Sequence, residues 1–84
     1  MTNYLLTYRS LTYAQRTSRI LERASISVSI VRTPQELSTE GCGYALKIKE
    51  RDLNRALAVL RASDLYPRRI FESCSDGRYE AVSV

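Results

Sequence analysis

Two stretches of this chain repeat their apolar residues every three or four positions, and short runs of strand-forming residues stand on either side of each. A period near 3.6 buries one stripe of a helix, and a period of two buries one face of a strand. A chain that switches between the two periods must stack helices on a sheet.

The first helical stretch is 11–24, where Ala14, Thr17, Leu21 and Ala24 fall three or four apart with Ile20 beside them, while Arg16, Arg19 and Arg23 turn away. Ser10 stands where an N-cap belongs. The second stretch is 50–64, where Leu53, Ala56, Leu57 and Leu60 share a face that Arg51, Arg55 and Arg61 avoid. Glu50 and Asp52 suit the positive end of its dipole.

Residues 4–9, YLLTYR, read as a central strand because Tyr4, Leu5 and Leu6 run together. ISVSIVR at 26–32 alternates, with Ile26, Val28 and Ile30 on one side, and Pro34 stops it. YALKIKE at 44–50 makes a third strand and 68–73 a fourth, after a turn at Leu65, Tyr66 and Pro67. The chain turns again at Asp76 and Gly77, so 79–84 is expected to add an edge strand or to dock on a neighbour.

Strand, helix, strand, strand, helix, strand with right-handed crossovers predicts an α/β chain of the α+β two-layer sandwich type. It is a ferredoxin-like βαββαβ domain, with an antiparallel sheet and both helices on one face. The other face then needs cover, from the tail or from a second copy in a homodimer.

At 84 residues the chain is expected to be one domain, 1–84, hiding about 60–65% of its unfolded surface. No apolar run approaches the roughly 18 residues of a membrane helix, and residues 1–9 lack the features of a signal peptide. A cytoplasmic location without membrane contact is expected, and with it cysteines kept as thiols.

The net charge of +4 rests on eleven arginines and two lysines, Lys47 and Lys49. Arginine suits phosphate and carboxylate recognition, but these arginines are scattered, so a solvated surface is the expected reading and a nucleic-acid partner is not. With no histidine, the chain excludes Ser-His-Asp and Cys-His chemistry. Two lone cysteines could hold zinc only with help from carboxylates or a partner chain, so no metal and no cofactor is expected. The tyrosines, among them Tyr4, Tyr8 and Tyr44, fit strand packing better than a ligand cage.

The segment TPQELSTEGCG, 33–43, is long for a connection between neighbouring strands, and long loops in small domains carry function. It sets Cys42 between Gly41 and Gly43, directly before a strand. The expected topology puts it near Arg9, Ser10 and the amino terminus of the first helix, with Tyr66 and Arg68 close by. Cations and a helix amino terminus lower a thiol pKa from about 8.5 toward roughly 3.5–7.5, and two glycines let backbone amides turn toward a sulfur or an anion. Spacing alone leaves Cys42 either a buried filler or a reactive thiol. Cys74, in ESCSDG, has nothing beside it to activate it.

The stretch from Tyr4 to Ile48 resembles the selenium/sulfur carrier protein-like family of bacteria and archaea. The likeness rests on a first strand turning into a helix at residues 4–10, the small Ala14, Pro34 closing the second strand, and Cys42-Gly43 before an apolar strand. It covers about 3–71 as a core and leaves 73–84 as an extension. Gly41 departs from the family pattern, which often has serine or a second cysteine there. The resemblance implies a thiol, Cys42, that carries sulfur or selenium as a persulfide or selenosulfide between donor and acceptor proteins, with Gly41, Gly43, Arg9 and Ser10 around it. Such a protein is a carrier more than a stand-alone enzyme. The rival reading is a binding or regulatory module in which the loop and nearby arginines hold an anionic ligand or a protein.

Overall fold

The computed structural model describes residues 3–33, 43–73 and 77–82; Pro34, Gly41, Cys42, Cys74 and Asp76 lie outside the described residues. Strand β1 (Asn3–Tyr8) leads through Ser10 into helix α1 (Leu11–Arg23), and β2 (Ser29–Arg32) and β3 (Tyr44–Lys49) follow. A 3-10 turn (Glu50–Asp52) opens into α2 (Leu53–Ala62), then come β4 (Arg69–Ser73) and β5 (Tyr79–Ala81).

The sheet order is β2-β3-β1-β4-β5 and every pairing is antiparallel. With both helices packed on one face, this is the ferredoxin-like fold, extended by β5 at the free edge of β4. The first strand holds the centre because Leu5 and Leu6 are both buried, one on each face.

On the helix side, Leu6, Tyr8, Leu46, Ile48 and Ile70 meet Ala14 and Leu21 of α1 and Leu53, Ala56, Leu57 and Leu60 of α2. On the other side Leu5, Ala45 and Phe71 form a smaller cluster against Val31 and Tyr79. Tyr79 brings β5 into that cluster.

Both helices end in the same way. Ser25 (φ 64) and Asp64 (φ 57) take the left-handed conformation directly after the caps. After α1, Ile26 N–H donates to the Leu21 carbonyl at 2.9 Å and Ser25 N–H to Glu22 at 3.0 Å. After α2, Leu65 N–H donates to Leu60 at 3.0 Å and Asp64 N–H to Arg61 at 3.4 Å. This is the Schellman pattern, and the residues it brings together, Ile26 with Leu21 and Leu65 with Leu60, all belong to or pack against the helix-side core.

That closure corrects the expected second strand. Ile26 does not start it: the residue is buried under α1 as the apolar member of the cap, and pairing begins only at Ser29. Ile30, expected inside, is 38% exposed, because β2 is the edge strand. The expected helix start at Glu50 also shifts, since that turn is 3-10 and Asp52 spends its carboxylate on Arg55 at 3.6 Å rather than on a cap. Arg55 reaches on to the Ser25 carbonyl at 3.3 Å, tying α2 to the end of α1.

Candidate functional site

The antiparallel register gathers the carboxyl ends of β1 and β2 and the start of β3 at one end of the sheet. Tyr8 pairs with Tyr44 and Tyr44 with Arg32, so Arg9, Thr33 and Gly43 follow at that same end. Thr33 N–H donates to the Gly43 carbonyl at 3.0 Å, carrying the β2–β3 ladder one step further.

Gly43 is pressed into this corner. A Cβ there would stand 3.4 Å from both the Tyr8 carbonyl oxygen and Thr33 Oγ1. The expectation that Gly43 supplies a backbone conformation closed to other residues is not met: of the described glycines only Gly77 has positive φ (87). Gly43 lies close against β1, where a Cβ would just reach van der Waals contact.

On the other side of Gly43 from β2, the chain leaves β1 through Arg9 and Ser10. Arg9 is exposed. Ser10 is the N-cap of α1 in extended conformation, with its Oγ accepting from Tyr13 N–H at 3.3 Å. The first turn of α1 carries no acidic residue, so no side chain of that turn offsets the positive end of its dipole. Arg9, Ser10 and Gly43 therefore share one end of the sheet; Cys42 and Gly41 lie outside the described residues.

The connection from α2 to β4 closes the far flank of β1. Arg68 N–H donates to the Thr7 carbonyl at 2.9 Å, and Thr7 Oγ1 accepts from Arg69 N–H at 3.0 Å. Tyr66 is exposed, with the Arg61 guanidinium 5.5 Å from its ring centroid. Tyr66 and Arg68 thus come to the same end as Gly43, across β1 from it.

Two residues that the sequence does not mark as site residues also matter here. Tyr8 is buried, and its hydroxyl donates to the Leu65 carbonyl at 2.9 Å, pinning the end of β1 to the end of α2. Burial pushes the Tyr8 phenol up to about 12, against a partial lowering by the Thr17 hydroxyl and with a further rise from Tyr66. It is a neutral hydrogen-bond donor at physiological pH and not a base. The Tyr4 phenol is also raised, by burial first and then by Glu72 and Glu50.

The second is Thr33. It is 8% exposed and its Oγ1 has no hydrogen-bond partner among the described residues, although it lies against Gly43. Nothing local marks it: in sequence it is one more polar residue before a proline. Among the described residues no cluster of acidic or sulfur side chains is arranged to hold a metal, and no helix is long and apolar enough to cross a membrane.

The family model described as "Putative Se/S carrier protein-like" matches residues 3–72. No curated protein and no solved structure matches the chain.

Proposed function

The chain belongs to the Se/S carrier protein-like family, and from that membership we propose that it carries sulfur or selenium on the Cys42 thiol, between donor and acceptor proteins. One observation supports the assignment of that thiol above others. Gly43 is seated against the end of β1, directly before Arg9 and the Ser10-capped amino terminus of α1, whose first turn carries no acidic residue. One peptide bond joins Cys42 to Gly43, which limits the distance between their Cα atoms to about 3.8 Å.

The chemistry needs no histidine. A thiolate is favoured by a cation and a helix amino terminus, which Arg9 and α1 supply. The Cys42 thiolate attacks the outer sulfur of a donor persulfide; the donor's S–S bond breaks, the donor leaves as a thiolate, and Cys42 holds the persulfide. Attack on the selenium of a donor selenosulfide gives the selenosulfide in the same way, with no outside oxidant or reductant. Ser10, with its oxygen already accepting from Tyr13 N–H, keeps its O–H to donate to an anionic sulfur. Gly41 and Gly43 keep bulk away from the attachment point.

The test is alkylation of Cys42 against pH in a Cys74→Ser background, with intact-mass detection after exposure to a persulfide donor. Labelling with an apparent pKa well below the ~8.5 of a free thiol, together with a one-sulfur adduct lost in Cys42→Ser, is the expected result. Slow labelling and no adduct would make Cys42 structural and end the carrier reading.

A further inference from the structure

Helix α1 points three arginines away from the core. Arg16, Arg19 and Arg23 with Thr12 fall within about 60° of one another around the helix axis, opposite Leu21 and Ala14. With Gln15 and Ile20 they line a shallow groove of about 300 Å³. All three arginines are exposed, and none has an ion-pair partner among the described residues. The nearest acid on the helix, Glu22, is engaged by the Ser18 hydroxyl at 3.2 Å. A dipole argument accounts for Arg23 in the last turn, but not for Arg16 or Arg19.

We infer that this face of α1 docks a carboxylate-bearing helix of a partner protein, with Arg16, Arg19 and Arg23 as its contacts. The spacing carries the class of occupant. Along the axis the three arginines stand at intervals of about 4.5 and 6 Å, the rise of three and four helical residues. A second helix with acids at i, i+4 and i+7, running antiparallel, repeats those intervals in register. Guanidinium forks pair with carboxylates in two parallel hydrogen bonds, and Ile20 with the arginine stems gives the groove an apolar floor for the partner's own aliphatic residues.

A nucleic-acid strand fits less well. The arginine row spans only about 10.5 Å and offers three cations, where a strongly salt-dependent nucleic-acid binder makes roughly 6–10 phosphate contacts. Lys47, Lys49 and Arg69 do not extend the row, because they alternate with the core residues Ile48 and Ile70 and so lie on the helix-free side of the sheet, and Arg55, past the end of α1, is held by the Ser25 carbonyl and Asp52. The inference is independent of the thiol chemistry, and Cys42→Ser leaves this surface intact.

The probe is a fluorescein-labelled alanine-based helical peptide with glutamates at i, i+4 and i+7, with its glutamine isomer as reference, followed by anisotropy with the full chain. Saturable binding of the glutamate peptide is expected, at least tenfold tighter than the glutamine isomer and weakened by salt. The triple change Arg16→Gln, Arg19→Gln and Arg23→Gln should weaken it at least tenfold while the circular dichroism spectrum is unchanged. The double change Arg32→Gln and Arg51→Gln, elsewhere on the surface, should leave it within twofold. Absence of saturable binding would overturn the inference, as would equal loss in both variants. So would an oligouridylate that binds more tightly than the peptide through the same three arginines, which would make the face a nucleic-acid surface.

Discussion

Replacing Tyr8 by phenylalanine removes one oxygen and tests how the end of β1 is held. The hydroxyl donates to the Leu65 carbonyl at 2.9 Å from a side chain only 6% exposed. A hydrogen bond of this kind contributes a net of about 0.5–1.5 kcal/mol, and leaving the half-buried carbonyl without its donor adds to the cost. The expected loss is about 1–2 kcal/mol at neutral pH, which in a domain of this size lowers the melting temperature by roughly 4–16 °C.

The same variant carries a pH signature. The folded phenol has its pKa raised from 10.0 to about 12, so above pH 10 the unfolded chain sheds this proton first and binds fewer protons than the folded one. Stability from Tyr8 is thus complete below about pH 10 and drains away as the pH rises toward 12, by about 1 kcal/mol at pH 11. The wild-type advantage over Tyr8→Phe should shrink through that window and vanish near pH 11. Urea unfolding of both proteins at pH 7, 9, 10 and 11, compared as a difference, cancels the titration of every other group. A variant as stable as wild type at pH 7, or a difference that stays constant to pH 11, would refute the reasoning.

Two further changes probe the packing. Thr33→Val keeps the shape and deletes a buried hydroxyl that has no partner among the described residues, so it should raise stability by about 1 kcal/mol; a loss in denaturant unfolding would mean that the hydroxyl is satisfied in solution. Leu46→Ala opens a cavity between β3 and the helices at a site with no exposure, and should cost about 2–5 kcal/mol, a large part of a stability that is typically 5–15. A cost below about 1 kcal/mol would show that the helix layer collapses to fill the space.

The periods of the two helices and of β1 and β3 are local properties, and the residues declare them directly: Ala14, Thr17 and Leu21, or Leu53, Leu57 and Leu60, lie on one side whatever the rest of the chain does. From them the succession of strands and helices follows, and the antiparallel pairing of that succession brings Arg9, Ser10 and Gly43 to one end of the sheet. What sequence could not show are the choices made between distant residues. Ile26 and Ile30 carry the same side chain in one alternating run, yet Ile26 is buried by a cap contact to Leu21 and Ile30 is exposed at the sheet edge. Thr33, with a hydroxyl that has no partner among the described residues, is buried where Gly43 and the end of β1 meet it, and Tyr8 is a structural pin only because Leu65 arrives from 57 residues away. Periodicity assigns a residue to a face; burial, partners and charge on that face depend on which strand takes the edge and how each helix turns out of its last carbonyls.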